Sequence, residues 1–466
     1  MLEKELDYAK LGFKAGLEVH QQLEVGKLFC KCPSKLSDGN PDLTVKRKLR
    51  AVKSEIGEED KAAVFEMLKK KEGIYEIFNE SSCLIELDEE PILNINEDAL
   101  KTVLTVSKMM NCDIVEDLII MRKQVLDYSN TSGFQRTGLA ARNGYINIGN
   151  NTIEIETVCI EEDAARKIKE DEKNIIYRLD RLGIPLIEIA TAPDIKTPEE
   201  AREVAAYIGM ILKSTRNFKS GLGTIRQDLN VSIKKGARVE IKGVQDLRNI
   251  PKIIENEIKR QLSIIESGKK VKKEVRKIND DLETDFLRPM PGASRMYVET
   301  DTPEIDTKEL TKEIKMPNLI SDNVKELVKK GLREDLAMEA VKNDIDLENY
   351  GMDIRLVADV LIEKPKEIKK RFNLNAKREN LDKVLELLKG RKINKDVIVD
   401  VIVDIENDKF DISRYEKIDE KIIENEIKNL VKNNLSVNAI MGILMGKYKG
   451  KISGKELIEI IKRYDK

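Results

Sequence analysis

The stretch GYINIGNNTIEIETVCIEED, residues 144–163, alternates apolar and polar side chains on both sides of Asn150 and Asn151. Period-two alternation around a short polar turn is the signature of a β-hairpin with one face buried. The spacing therefore predicts two paired strands turning at Asn150 and Asn151. Downstream, IPLIEIATAP (184–193) reads as a buried strand, and TIRQDLNVSIKKGARVEIKGV (224–244) alternates again and turns at Lys235 and Gly236. Between them, Thr197, Pro198 and Glu200 stand as N-cap, first helical residue and third position after the cap of an amphipathic helix, a capping-box pattern. From about residue 11 to 306 the chain thus mixes strands with helices. Beyond it, apolar residues recur at helical spacing in 325–343, 357–372 and 380–390. A last unit begins near residue 411, with short lysine-rich helices over 419–434 and 454–466. The expectation is an α+β fold in three parts: 1–306, a helical domain 307–410 and a small helical tail 411–466.

Composition narrows the class. Lys and Arg number 83 against 85 Asp and Glu, a formal net charge of −2, so any nucleic acid would be met by local basic clusters and not by overall charge. Trp is absent and aromatics are 4%, which argues against a base-stacking platform. Five thinly spread cysteines point to a reducing compartment, and no long uncharged apolar run suggests a membrane span, so a cytoplasmic location is expected. Neither a Walker A sequence nor G-x-G-x-x-G occurs.

The chain has one histidine, His20, two residues after Glu18. Two-histidine zinc schemes are excluded. On a strand, Glu18 and His20 would share a face and could share a metal ion; taken alone, a histidine satisfied by hydrogen bonds is the commoner case. Glu188 is the most anomalous carboxylate, because the strand around it is apolar and a buried unpaired charge costs several kcal/mol. An edge strand with Glu188 facing water is the alternative. Glu161, Glu162 and Asp163 close a strand-like run where further ligands could converge. Carboxylates with one imidazole suit magnesium, or manganese, better than thiolate-bound zinc. Zinc is further disfavoured because Cys30, Cys32 and Cys83 supply only three sulfurs. Segments 127–142 and 219–230, holding Ser132, Arg136 and Arg226, and segment 285–301, holding Arg288 and Arg295, combine small polar residues with arginines as phosphate sites do.

GLEVHQQLEVGKLFCKCPS (16–34), NTSGFQRTGL (130–139), VCIEEDAAR (158–166), RLDRLGIPLIEIATAPD (178–194), RQDLNVSI (226–233), RVEIKGV (238–244) and FLRPMPGASRMYVETD (286–301) together resemble the GatB/GatE family of tRNA-dependent amidotransferase subunits. FCKCPS, YSNTSGFQRTG and RPMPGASRMY are most similar to the GatE branch. The resemblance implies a mixed catalytic cradle, a helical domain and a YqeY-like tail. It implies conversion of Glu-tRNA(Gln) to Gln-tRNA(Gln), using ATP, magnesium or manganese, and ammonia from a partner amidase. The partner implied is the asparaginase-like GatD, in a heterotetramer; the alternatives are GatB-type work with GatA and GatC, or a non-catalytic tRNA scaffold. It further implies catalytic and metal roles for Glu18, His20, Glu188 and one of Glu161 and Glu162, with Glu162 preferred. One departure stands out: the large domain that GatE chains carry ahead of the FLRPMPG segment is missing, and 263–281 runs almost directly into it.

Overall fold

The computed structural model describes residues 6–48, 68, 71–125, 127–221, 223–290, 296–416, 418–432, 435–448 and 450–464. The chain forms two compact units, Met1–Asn318 and Leu319–Lys466.

An eleven-stranded sheet organises the described part of the first unit. Its spatial order is Thr284–Pro289, Glu274–Ile278, Val239–Val244, Ile225–Ser232, Lys14–Gln22, Pro185–Thr191, Asn151–Glu162, Phe134–Ile148, Ile120–Gln124 and Met296–Val298, with Asp113–Ile114 also paired to Phe134–Ile148. Neighbours are antiparallel except Val239–Val244 with Glu274–Ile278. That parallel pair is joined through the helix Ile250–Glu266, as a crossover requires.

The predicted hairpin is present but turns one residue earlier. Ile148 pairs with Asn151, leaving Gly149 and Asn150 at the bend, and Gly149 takes φ of +57°, which a two-residue hairpin turn favours and a glycine adopts without strain. Alternation sorts the central strands into two faces. Leu17, Val19, Val158, Ile160, Ile187, Ile189, Leu229 and Val231 are fully buried, and the helices Glu97–Met109, Pro198–Ser214 and Ile250–Glu266 pack onto the sheet. Each such side chain contributes about 1.5–3 kcal/mol on burial. The cap of Pro198–Ser214 is formed by Thr197 Oγ1, which accepts from Glu200 N at 3.1 Å. Glu200 does not close the expected box on Thr197: one oxygen accepts from Lys196 N at 2.7 Å and the other from Asn151 Nδ2 at 2.6 Å.

A second sheet, unanticipated, orders Leu43–Lys48, Glu72–Ile77, Asn174–Arg178 and Arg166–Glu170, around a small core that includes Tyr75, Ile77, Ile175, Tyr177, Leu179 and Leu182.

The second unit is helical in its described residues. Ile320–Lys329, Glu334–Lys342, Lys364–Phe372, Arg378–Lys389 and Ile398–Glu406 share one core, and Glu420–Lys432, Val437–Lys447 and Gly454–Tyr464 enclose another built on Ile423, Ile427, Leu444, Leu457 and Ile461. Pro365 does not end its helix. The preceding turn widens to a π-helical stretch, Asp359–Glu363, absorbing the missing proline N–H and its ring. Among the described residues, no helix is long and apolar enough to cross a membrane.

Candidate functional site

Register brings the candidate residues together. In the antiparallel pairing of Lys14–Gln22 with Pro185–Thr191, His20 stands opposite Glu188, and on the other side Ile225–Ser232 sets Arg226 against His20 and Asp228 against Glu18. Directly opposed residues share a face, so Glu18, His20, Glu188, Arg226 and Asp228 all project away from the face occupied by Leu17 and Val19. The next strand continues the row with Cys159 opposite Glu188 and Glu161 opposite Leu186.

The donor atoms of Glu18, His20 and Glu188 lie within 4.8 Å of one another. His20 Nε2 is 3.2 Å from Glu188 Oε2 and 3.4 Å from Glu18 Oε1. Its Nδ1 is buried without a partner, so only Nε2 and its two carboxylates orient the ring. Burial disfavours the imidazolium, but the hydrogen bond to Glu188 and the charge of that carboxylate outweigh it and raise His20 above its ordinary value. Burial likewise opposes ionised Glu188, yet the hydrogen bond from His20 and the charge of Lys123 hold this carboxyl well below its usual range. Glu18 is raised by burial and by Glu188. Glu161 is pushed up to about 7, first by burial and then by Glu188.

Strand parity sets the two adjacent glutamates on different sides of the sheet. Glu161 Oε1 lies 3.4 Å from Lys123 Nζ, which also lies 3.7 Å from Glu188 Oε2, so Glu161 belongs to the His20 row. Glu162, one residue on, projects from the opposite side of the pleat. It accepts from Arg136 N at 3.0 Å and faces Arg136 Nη1 at 3.5 Å. Glu162 is thus a buried partner of Arg136, on the other side of the pleat from the His20 row.

Arg136 continues a charged chain: its Nε donates to the buried Glu299 Oε2 at 2.7 Å, and Glu299 also pairs with Arg122. The two guanidiniums lie 5.0 and 4.9 Å from the Phe134 ring centroid. Ser132 and Arg136 meet in a narrow cleft, with Cys30, Glu86, Asn130 and Glu162 among its walls. Asn130 Nδ2 is buried there without a partner. Arg226 instead stays beside His20, 3.7 Å from Asp163 Oδ1. The predicted phosphate-binding residues are therefore not gathered in one place. Arg288 lies on an outer strand four places from that of His20, about 19 Å away at ordinary strand spacing. Arg295 lies outside the described residues.

Several charged residues gave no signal in the sequence. Lys123 is one; Lys242, 2.7 Å from Asp228 and 2.6 Å from Glu240, is another. Only the pairing register, which spans strands far apart in the chain, would have found them. Glu86 is a third. Cys30, Cys32, Cys83 and Glu86 place one donor atom each within 4.8 Å of the others, so the three sulfurs have a fourth donor that a count of sulfurs missed. Glu86 accepts from Cys30 Sγ at 2.9 Å and from Cys83 N at 2.7 Å, and the wholly buried Lys27 approaches it at 3.4 Å. Burial and the Glu86 charge raise both thiols, Cys83 to about 12.

Residues 13–313, which contain both clusters, match the family model described as the GatB/GatE catalytic domain. The chain belongs to the GatB/GatE family. Among curated GatB/GatE relatives, the E-type subunit of glutamyl-tRNA(Gln) amidotransferase from Methanocaldococcus jannaschii is 52% identical over 279 residues, 60% of this chain and 44% of the relative. The E-type subunits from Methanothermobacter thermautotrophicus and Methanosarcina acetivorans are 52% and 53% identical over 262 and 261 residues, each match covering 56% of this chain and 42% and 41% of the relative. The matched part is thus less than half of each relative's length.

Proposed function

We propose that the chain is the subunit of a tRNA-dependent amidotransferase that converts Glu-tRNA(Gln) to Gln-tRNA(Gln). The observation that carries this reading is the convergence of Glu18, His20 and Glu188 on one sheet face inside the matched family domain. The name of the relatives supplies the substrate class.

The donor set fits a hard divalent cation: two carboxylates and one imidazole converge, with Glu161 beside them. Glu18, His20 and Glu188 would hold magnesium or manganese, with Glu161 as fourth donor. Such an ion offsets the negative charge on phosphate oxygens during phosphoryl transfer. A carboxylate is a poor electrophile, so the γ-carboxylate of the tRNA-bound glutamate attacks the γ-phosphorus of ATP and ADP leaves. Ammonia then attacks the acyl carbon, phosphate departs with the former carboxylate oxygen, and a proton is lost. In this chain, Glu18 and Glu188 keep the imidazole of His20 oriented, and Arg226 presents a cation on the same face for a phosphate. The apolar layer under the helices keeps water from the back of the sheet. Ammonia is supplied by an asparaginase-like amidase partner, GatD, in a cytoplasmic heterotetramer, and the lysine-rich tail holds tRNA phosphates.

The test uses the chain with its amidase partner, Glu-tRNA(Gln) and ATP. His20→Ala and Glu188→Gln should abolish Gln-tRNA formation, and wild-type rates in both would refute the proposal. Partner-free chain given ammonium salt should still cleave ATP and form the amide; failure of both would favour a tRNA-binding scaffold.

A further inference from the structure

Two lysines flank the carboxylate row, and they are held differently. Lys242 makes contacts of ordinary ion-pair length to Asp228 and Glu240, 2.7 and 2.6 Å, and is committed to them. Lys123 makes two long ones, 3.4 Å to Glu161 Oε1 and 3.7 Å to Glu188 Oε2, and its side chain is 35% exposed. Glu188 Oε2 is also the oxygen 3.2 Å from His20 Nε2, so one carboxylate oxygen faces an imidazole and an ammonium together. Glu161 would not be orphaned if the ammonium left, because Gln135 Nε2 donates to its other oxygen at 3.1 Å.

We propose that Lys123 is a positioning residue that couples cation binding to anion binding at this centre. The inference rests on reading Glu18, His20 and Glu188 as a cation site. An ammonium 3.7 Å from a donor oxygen stands within a few ångströms of any ion that oxygen holds, and like charges at such range in a partly buried site repel strongly. Lys123 and the divalent cation therefore compete for Glu188. A phosphate-bearing ligand ends the competition by giving Lys123 another anion. Cation and polyphosphate then bind better together than either binds alone, which keeps the centre weakly charged with metal until a nucleotide arrives.

The experiment measures Mn(II) binding to the full chain by electron paramagnetic resonance of the free ion, with and without inorganic phosphate at a level that chelates little manganese. Lys123→Met should bind Mn(II) at least about tenfold more tightly than wild type without phosphate, and should lose the tightening that phosphate gives the wild type. Lys123→Arg keeps the charge and should retain weak binding and the phosphate response, which a purely structural role for the lysine stem would not produce. Melting temperatures confirm that each variant is folded. Unchanged or weakened Mn(II) binding by Lys123→Met, with His20-dependent binding in the wild type, overturns the coupling alone. Absence of His20-dependent binding in the wild type overturns the cation site and the coupling together.

Discussion

His20 and Glu188 stand 168 residues apart in the chain and 3.2 Å apart in the fold, each the direct cross-strand partner of the other. Because the chain has no other histidine, every imidazole signal reports this contact. His20→Gln and Glu188→Gln should each weaken Mn(II) binding by about 10- to 100-fold, since each alters one of three convergent donors. Calorimetric titration reads this directly, and retention of wild-type affinity by either variant would show that the cluster is not a cation site.

The raised His20 has a definite sign in stability. A group with a folded value above its unfolded one stabilises fully below the unfolded value, near 6.5, and loses that contribution as pH rises through the folded value. In metal-free buffer, the melting temperature of wild type minus that of His20→Gln should be largest below pH 6.5 and shrink above it. A difference that grows with pH would contradict the imidazolium–carboxylate arrangement.

Parity makes Glu161 and Glu162 separable. Glu161→Gln should weaken cation binding with little change in stability, because its charge is held at a cost. Glu162→Gln should leave cation binding intact, and because burial raises Glu162 as well and Gln can still accept from Arg136 N, its effect on stability should also be small. Denaturant melts and Mn(II) titration of the pair would expose a reversed assignment at once.

The thiol cluster has four donors of kinds that bind zinc tetrahedrally. Chain purified from zinc-supplemented cells should carry zinc that Cys83→Ser loses, and cobalt substitution should give visible thiolate-to-metal absorption. Uptake would release protons from the raised thiols and so strengthen with pH. Equal zinc content in wild type and Cys83→Ser would remove the site.

Gly144 sits where a methyl group would meet Cys112 Sγ at 2.2 Å and the Met110 carbonyl oxygen at 2.7 Å. The carbonyl is backbone, and it already accepts from Tyr145 N at 2.9 Å. Gly144→Ala should cost about 3 kcal/mol through overpacking; an unchanged denaturation midpoint would refute the close approach.

Alternation alone made the hairpin over 144–163 and the strand around Glu188 legible, since each buries one face within a short span. The acid in that apolar strand pointed to the centre for the reason given by the physics: a charge so placed needs partners. Which of Glu161 and Glu162 shares a face with His20 was not legible, because three consecutive acids end the strand and parity there is set by the register of Thr137 with Glu161, which no local pattern encodes. The second sheet was illegible for a related reason. Its parallel pair joins residues 72–76 to 174–178, about a hundred residues apart, and short amphipathic stretches do not announce partners at that range. Glu86 hid behind convention, because a carboxylate three residues after a cysteine is rarely counted with the sulfurs.

The long span between His20 and Glu188 also sets a clock. A ribosome adding roughly 5–20 residues per second needs roughly ten to thirty seconds to go from one to the other. Throughout that interval the histidine strand exists without its neighbours in the sheet, 185–191 and 225–232, which are not yet complete. Glu18 and His20 therefore cannot meet Glu188 on a shorter nascent chain, and the central seam of the sheet is zipped only after Ser232 has left the ribosome.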